Sequence, residues 1–350
     1  MMQMSEQTIL LGVPKVEFGE NGITPFPMCL KSCANYLGMD VDYDYVMAAS
    51  GAAFRLTWNT TSWDGGNVDT IFAFDHPAKI FQCGIESLGC EYNLVSRSSK
   101  TEKSEFVNFI KSKIDSGIPV IACGVIGPPE ACIITGYHDG GDTLLGWNFC
   151  QDNPEFAGGV TFDESGYFIT DKWWENPDTN AVMSLGEVTK ERFATKIILQ
   201  NAIEIMTRRI VGNYAKGITA YDAWAEAILK DSEFPQNAVL PILAERLMCH
   251  GDAMDCIADG RHNAAKYIKS LIAAYPTHQE RLKEVAILFE NVSGIFGKMT
   301  EVLGGWQRGE NEMRMFAKPQ VRKQLAEIII EAKNADEKAL GIIKELVKVL

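Results

Sequence analysis

The feature that most constrains this chain is a change of period near residue 186. Before it, short apolar runs alternate with turn-forming residues: IPVIACGVI (118–126), EACIITGYH (130–138), DTLLGWNF (142–149), GYFITDKWW (166–174) and NAVMSLG (180–186). Each is rich in β-branched or aromatic side chains and bounded by Gly, Pro, Asp or Asn, so each reads as a strand. Between Tyr137 and Thr143, the run His-Asp-Gly-Gly-Asp tolerates positive φ, which predicts an antiparallel hairpin joining 130–138 to 142–149. From Thr189 onward apolar residues recur at three and four positions, the spacing of amphipathic helices. The expected helices span about 190–215, 218–231, 236–250, 252–274, 277–303 and 317–349, with 306–319 as a flexible connection.

Helices in the first half are fewer: Pro27 to Leu37, Asp40 to Ser50, His76 to Leu88 and Lys103 to Asp115. Gly38, Gly89 and Gly117 stand where left-handed helix caps are wanted. The fold class is therefore α+β: a domain over 1–186 with a meandering antiparallel sheet, then an all-helical domain over 187–350.

Composition narrows the function classes. The 350 residues carry 46 acidic against 33 basic side chains, a net charge of −13, which repels nucleic-acid backbones and anionic lipid surfaces. Neither nucleic acid nor membrane is expected as a partner. The N-terminal MMQMSEQTILLG has no basic region and too short an apolar run for a signal or anchor, so a cytoplasmic location is expected. Nine cysteines form no CxxC pair, and most read as small buried apolar residues in a reducing compartment. Cys249, His250, Asp252, Asp255, Cys256 and His262 cluster in sequence without a metal-ligand spacing. Neither a metal nor a cofactor is expected.

One cysteine stands apart. Thr24-Pro25-Phe26-Pro27-Met28-Cys29 places two prolines at a helix start and Cys29 in the first turn, where the helix dipole favours a thiolate. Glu130 follows Pro128-Pro129 at the head of a strand and reads as a rigidly held acid able to act as a base or to bind an amine. The segment 50–69 interleaves Arg55, Trp58, Trp63 and Asn67 with small polar residues, a lining suited to a small polar ligand such as a sugar or amine, and Trp147 would extend it.

The helix CLKSCANYLG (29–38), the stretch VMAASGAAFRLTW (46–58) and the hairpin EACIITGYHDGGDTLLGWNF (130–149) resemble the N-terminal domain of the butirosin biosynthesis protein H family, a papain-like group. The resemblance covers residues 20–185. It implies a papain-like domain with a Cys at the helix start, a His opening the first hairpin strand and an Asp or Asn on the next. It also implies acyl transfer through a cysteine thioester. Asn148 fits the third position, but Glu130 stands where the His is expected, and the nucleophile's position falls nearer Pro25 than Cys29. His138 lies eight residues beyond Glu130 on the same strand, roughly 26 Å away at ~3.3 Å per residue, and does not replace it.

Two readings follow. In one, the chain is a cysteine-dependent acyltransferase or amide hydrolase acting on a small molecule or peptide, with Cys29 as nucleophile, Glu130 as base and Asn148 as orienting residue. Backbone N–H groups at the helix start would then form the oxyanion site. In the other, it is an inactive papain-like relative whose cleft, lined by Glu130, Arg55 and the tryptophans, binds a small polar ligand. A homo-oligomer through the helical half is left open, without a heptad seam to support it.

Overall fold

Turn residues and apolar runs set most element boundaries in the computed structural model, which describes residues 6–19, 22–65, 69–235 and 238–350. The chain begins with β1 (Thr8–Ile9), α1 (Pro25–Tyr36), α2 (Tyr43–Ser50) and β2 (Thr57–Asn59). Next come α3 (Lys79–Glu86), β3 (Cys90–Ser96) and α4 (Lys103–Ile114). A run of strands follows: β4 (Val120–Cys123), β5 (Ala131–His138), β6 (Thr143–Trp147), β7 (Thr161–Phe162), β8 (Phe168–Thr170) and β9 (Ala181–Val188). After α5 (Thr195–Met206), the hairpin β10 (Arg209–Val211) and β11 (Tyr214–Lys216) leads into α6 (Ile218–Leu229) and α7 (Leu240–Ser270). The chain ends with α8 (Gln279–Ser293), α9 (Ile295–Leu303), α10 (Glu310–Phe316) and α11 (Pro319–Leu346).

These elements form two units, and the division is not the single cut expected at 186. The first unit takes residues 1–46 and 84–192, and the second takes 47–83 and 193–350. Segment 47–83 joins the helical unit because β2 pairs antiparallel with β11, with Trp58 opposite Ala215, in the three-stranded sheet β10-β11-β2. Backbone pairing over more than 150 residues of sequence separation leaves no local signal.

The first unit is built on an antiparallel sheet of order β3-β9-β4-β5-β6-β8-β7. Short β1 pairs with β5 at Gly136 and Tyr137, beyond the point where β4 ends its pairing at Ile134. The expected hairpin is present: Asp139, Gly140 and Gly141 all have positive φ (53°, 68° and 105°), which lets the chain reverse between β5 and β6. Helix α1 packs against β4 and β5. Nine of its twelve residues, including both prolines and both cysteines, are buried, so it is a core helix. Ile121, Ile133, Ile134, Leu145, Met183 and Leu185 are fully buried on the sheet, each stabilising by roughly 1.5–3 kcal/mol relative to exposure. Strand β3 had no sequence signal because it is a partly exposed edge strand, Cys-Glu-Tyr-Asn-Leu-Val-Ser, without clean alternation.

The second unit is organised by α7, a single 31-residue helix where two had been expected on either side of Gly251. Gly251 does not break it. A Cβ there would meet the Arg308 guanidinium at 2.5 Å, so glycine makes room for an arginine that pairs with Asp252 and Asp255 on the same helix. That arginine and α10 also give structure to 306–319, where a flexible connection was expected. The expected helix over 190–215 ends at Met206 and turns into the β10–β11 hairpin, and that over 277–303 divides at Gly294. Arg261 on α7 grips Asp336 on α11 through Nε and Nη2, at 2.6–3.0 Å. Tyr221 on α6 donates its hydroxyl to the same carboxylate at 2.7 Å, and Arg261 Nη1 donates to the Ala53 carbonyl at 2.6 Å. A buried pair satisfied on all sides ties three helices and the 52–55 turn together. Among the described residues, no helix is long and apolar enough to cross a membrane.

Candidate functional site

The residues expected to share one cleft belong to two units of the fold. Cys29, Glu130, Asn148 and Trp147 belong to the first unit; Arg55, Trp58 and Trp63 belong to the second. Asn67 lies outside the described residues.

In the first unit the helix starts two residues earlier than the sequence implied. Pro25 is its first residue, so Cys29 is the fifth and lies in the second turn. The start of α1 is also poor in donors. Of the first four residues, Pro25 and Pro27 have no N–H, and the Met28 N–H is taken by the Thr24 carbonyl at 3.3 Å. The expected backbone oxyanion site therefore lacks most of its donors. Cys29 itself is 0% exposed. Burial pushes its thiol well above the ordinary value, and Cys33, Cys132, Cys123 and Glu130 add to that rise. Cys33 is raised by burial as well, and burial pushes Cys132 up to about 12 despite hydrogen bonds from Asn148 and the backbone. Cys29 thus belongs to a group of apolar thiols, the reverse of an activated one.

Glu130 is held as its prolines implied, with its N–H donating to the Pro128 carbonyl at 2.7 Å and its carbonyl accepting from Gly124 N–H at 3.0 Å. Its negative charge opposes ionisation of both Cys29 and Cys150. Asn148 is buried, bonded both to its own turn and to the segment before β5. Its Oδ1 accepts from Cys150 N–H at 2.7 Å and its Nδ2 donates to the Ile126 carbonyl at 3.3 Å. Trp147 donates from Nε1 to the Val13 carbonyl at 2.9 Å and packs edge-on to Tyr167. It is a packing residue of the sheet.

In the second unit, Trp58 and Trp63 line a cavity of about 420 Å³. Trp58 leaves β2 stacked on Trp224, with ring centroids 5.9 Å apart, and meets Trp63 edge-on at 5.4 Å. The rim Asn59–Ser62 is folded by an Asx turn in which Asn59 Oδ1 accepts from the N–H groups of Thr61 and Ser62. Opposite stand Glu226, Lys230, Glu233, Glu245 and Arg246, which no local motif in the sequence singled out. Glu233 ties this wall to the aromatic one. It accepts from Trp63 Nε1 at 3.2 Å, Arg246 Nη2 at 3.0 Å and Lys230 Nζ at 3.1 Å. Burial opposes its ionisation, but the Lys230 and Arg246 charges hold its carboxyl below the ordinary value. The Arg246 guanidinium lies over the Trp63 ring, 4.9 Å from its centroid.

No known protein family and no curated protein matches the chain.

Arg55 does not line this cavity. It is buried, donating to the Ala52 carbonyl at 2.9 Å and to Cys256 Sγ at 3.2 Å. The Cys249–His262 stretch lies on α7. Among the described residues, no group of three or more His, Cys, Asp or Glu side chains is arranged to hold a metal.

Proposed function

We propose that the chain is a non-catalytic, papain-like binding protein whose ligand, a small polar molecule, occupies the cavity lined by Trp58 and Trp63. The observation that carries this reading is the cavity: two tryptophans, hydroxyl side chains and five charged groups converge on about 420 Å³ within one unit. The packing of α1 on an antiparallel sheet supports the papain-like part. Cysteine-dependent acyl transfer has less support. Its nucleophile would be a fully buried thiol driven away from ionisation, with a carboxylate rather than an imidazole for a partner.

A thermal-shift and calorimetric screen of amines, sugars, acyl donors and peptides tests the proposal. A small polar compound is expected to raise the melting temperature, and Trp63→Ala to abolish that response. If binding survives Trp63→Ala and is lost in Cys29→Ala, the ligand site belongs to the thiol region and the proposal fails.

A further inference from the structure

We infer that the Trp58–Trp63 cavity selects a small hydroxylated organic cation, an inference that rests on this cavity being the ligand site. Three carboxylates, Glu226, Glu233 and Glu245, and two basic groups, Lys230 and Arg246, line it. Both basic groups are already engaged. Lys230 and Arg246 each pair with Glu233, and Arg246 also pairs with Glu245. Glu233 additionally holds the Trp63 indole, so three donors already share its carboxylate. Glu226, by contrast, is exposed on the cavity wall with no ion-pair partner among the described residues.

The Lys230 ammonium keeps two N–H donors beyond the one it gives Glu233, but an anion reaching them would lie beside Glu226, four residues earlier on the same lining, and beside Glu233 itself. Drawing Lys230 or Arg246 away from Glu233 would leave that partly buried carboxylate short of a counter-charge. A cation meets Glu226 and the outer edge of Glu245 with nothing to break.

The rim supplies the rest of the selectivity. Thr60 Oγ1 donates to the Asn213 carbonyl at 3.0 Å, Thr61 Oγ1 to Asn59 Oδ1 at 2.9 Å and Ser62 Oγ to Asp64 Oδ2 at 3.4 Å. With their protons spent inside the protein, these hydroxyls offer a ligand only lone pairs. A wall of carboxylates and a rim of acceptors favour a molecule rich in N–H and O–H donors.

Isothermal calorimetry with three linear polyols of matched length tests this: N-methylglucamine (cationic), sorbitol (neutral) and gluconate (anionic). N-methylglucamine is expected to bind at least tenfold more tightly than gluconate, with sorbitol between. Glu226→Gln, at an exposed position that leaves the fold intact, is expected to weaken N-methylglucamine about fivefold and leave sorbitol unchanged. Binding of sorbitol or gluconate as tight as that of the cation, and lost in Trp63→Ala, overturns the choice of a cation while the cavity stands as the ligand site. Failure of all three polyols also overturns it. If in addition a peptide or acyl donor binds regardless of Trp63→Ala, the cavity reading falls as well.

Discussion

The two units treat buried polar groups in opposite ways. In the first, the buried polar side chains among the described residues are all neutral: Thr24, Ser32, Ser87, Thr135, Asn148, Gln151, Thr170, Thr179 and Ser184. The sheet satisfies its own backbone, and thiols fill the space beneath α1 as apolar groups. In the second, Arg55, Lys216, His250, Arg261, Arg322 and Asp336 are all buried. Its helices are tied to one another by desolvated polar side chains and the partners they find, as in the Arg261–Asp336–Tyr221 cluster. The lesson is that residues with chemical reputations can lie in a chemically quiet interior. The unit that reads as plain helix is the one that holds charge, aromatic faces and a cavity together.

The largest expected effect is on that charged interior. Asp336→Ala should destabilise the second unit by about 3–5 kcal/mol, because it leaves Arg261 buried without its counter-ion. Joint replacement, Arg261→Met with Asp336→Leu, should recover most of that loss. Calorimetric unfolding of both variants checks this, and equal destabilisation by the single and double variants would break the contrast between the units.

Acid should come next. His250 is buried, its Nδ1 accepting from Trp224 Nε1 at 3.1 Å and its Nε2 without a hydrogen-bond partner among the described residues. Burial lowers its pKa from 6.5 to about 3. Its contribution to stability is therefore complete above pH 6.5 and is lost as the pH falls toward 3, by about 3 kcal/mol at pH 4. Asp255 works the other way. Burial raises its carboxyl from 3.8 to about 6 despite Arg308, so its contribution is full below pH 3.8 and is lost as the pH rises through 6. Partial exposure limits that opposing term to about 1 kcal/mol, leaving a net loss of about 2 kcal/mol between pH 7 and 4. Denaturation at a series of pH values should show this slope, and His250→Gln should flatten or reverse it.

The smallest effects belong to the quiet unit. Cys29→Ala should cost about 1 kcal/mol, the loss of one small buried side chain, and leave ligand affinity unchanged. With iodoacetamide near neutral pH, the partly exposed Cys150 should be modified before the fully buried Cys29. Mass spectrometry of the labelled peptides reads the order, and preferential modification of Cys29 would restore the nucleophile.

Much of the first unit was legible because its signals are local. The strands 130–138 and 142–149 and the turn between them carry alternation and positive-φ residues within twenty positions. The early strands β1 and β2 and the edge strand β3 were not, since two or three residues, or a half-exposed edge, carry no period. Of the residues expected to bind ligand, Trp58 and Trp63 line one cavity, whereas Arg55 and Trp147 serve packing. The opposite wall, Glu226 to Arg246, was hidden because charged residues on helices ordinarily mark a solvated face.

By itself, the sequence determined the α+β character, the antiparallel hairpin, the helical remainder and the unusual density of tryptophan and polar residues around position 60. These follow from periodicity and backbone preference, which act over a few residues. Only the tertiary structure decided that residues 47–83 join the helices, that Gly251 leaves a long helix unbroken and that Cys29 is sealed beneath a donor-poor helix start. Each of these depends on a partner far along the chain or on burial, and neither desolvation nor long-range pairing leaves a mark on local sequence.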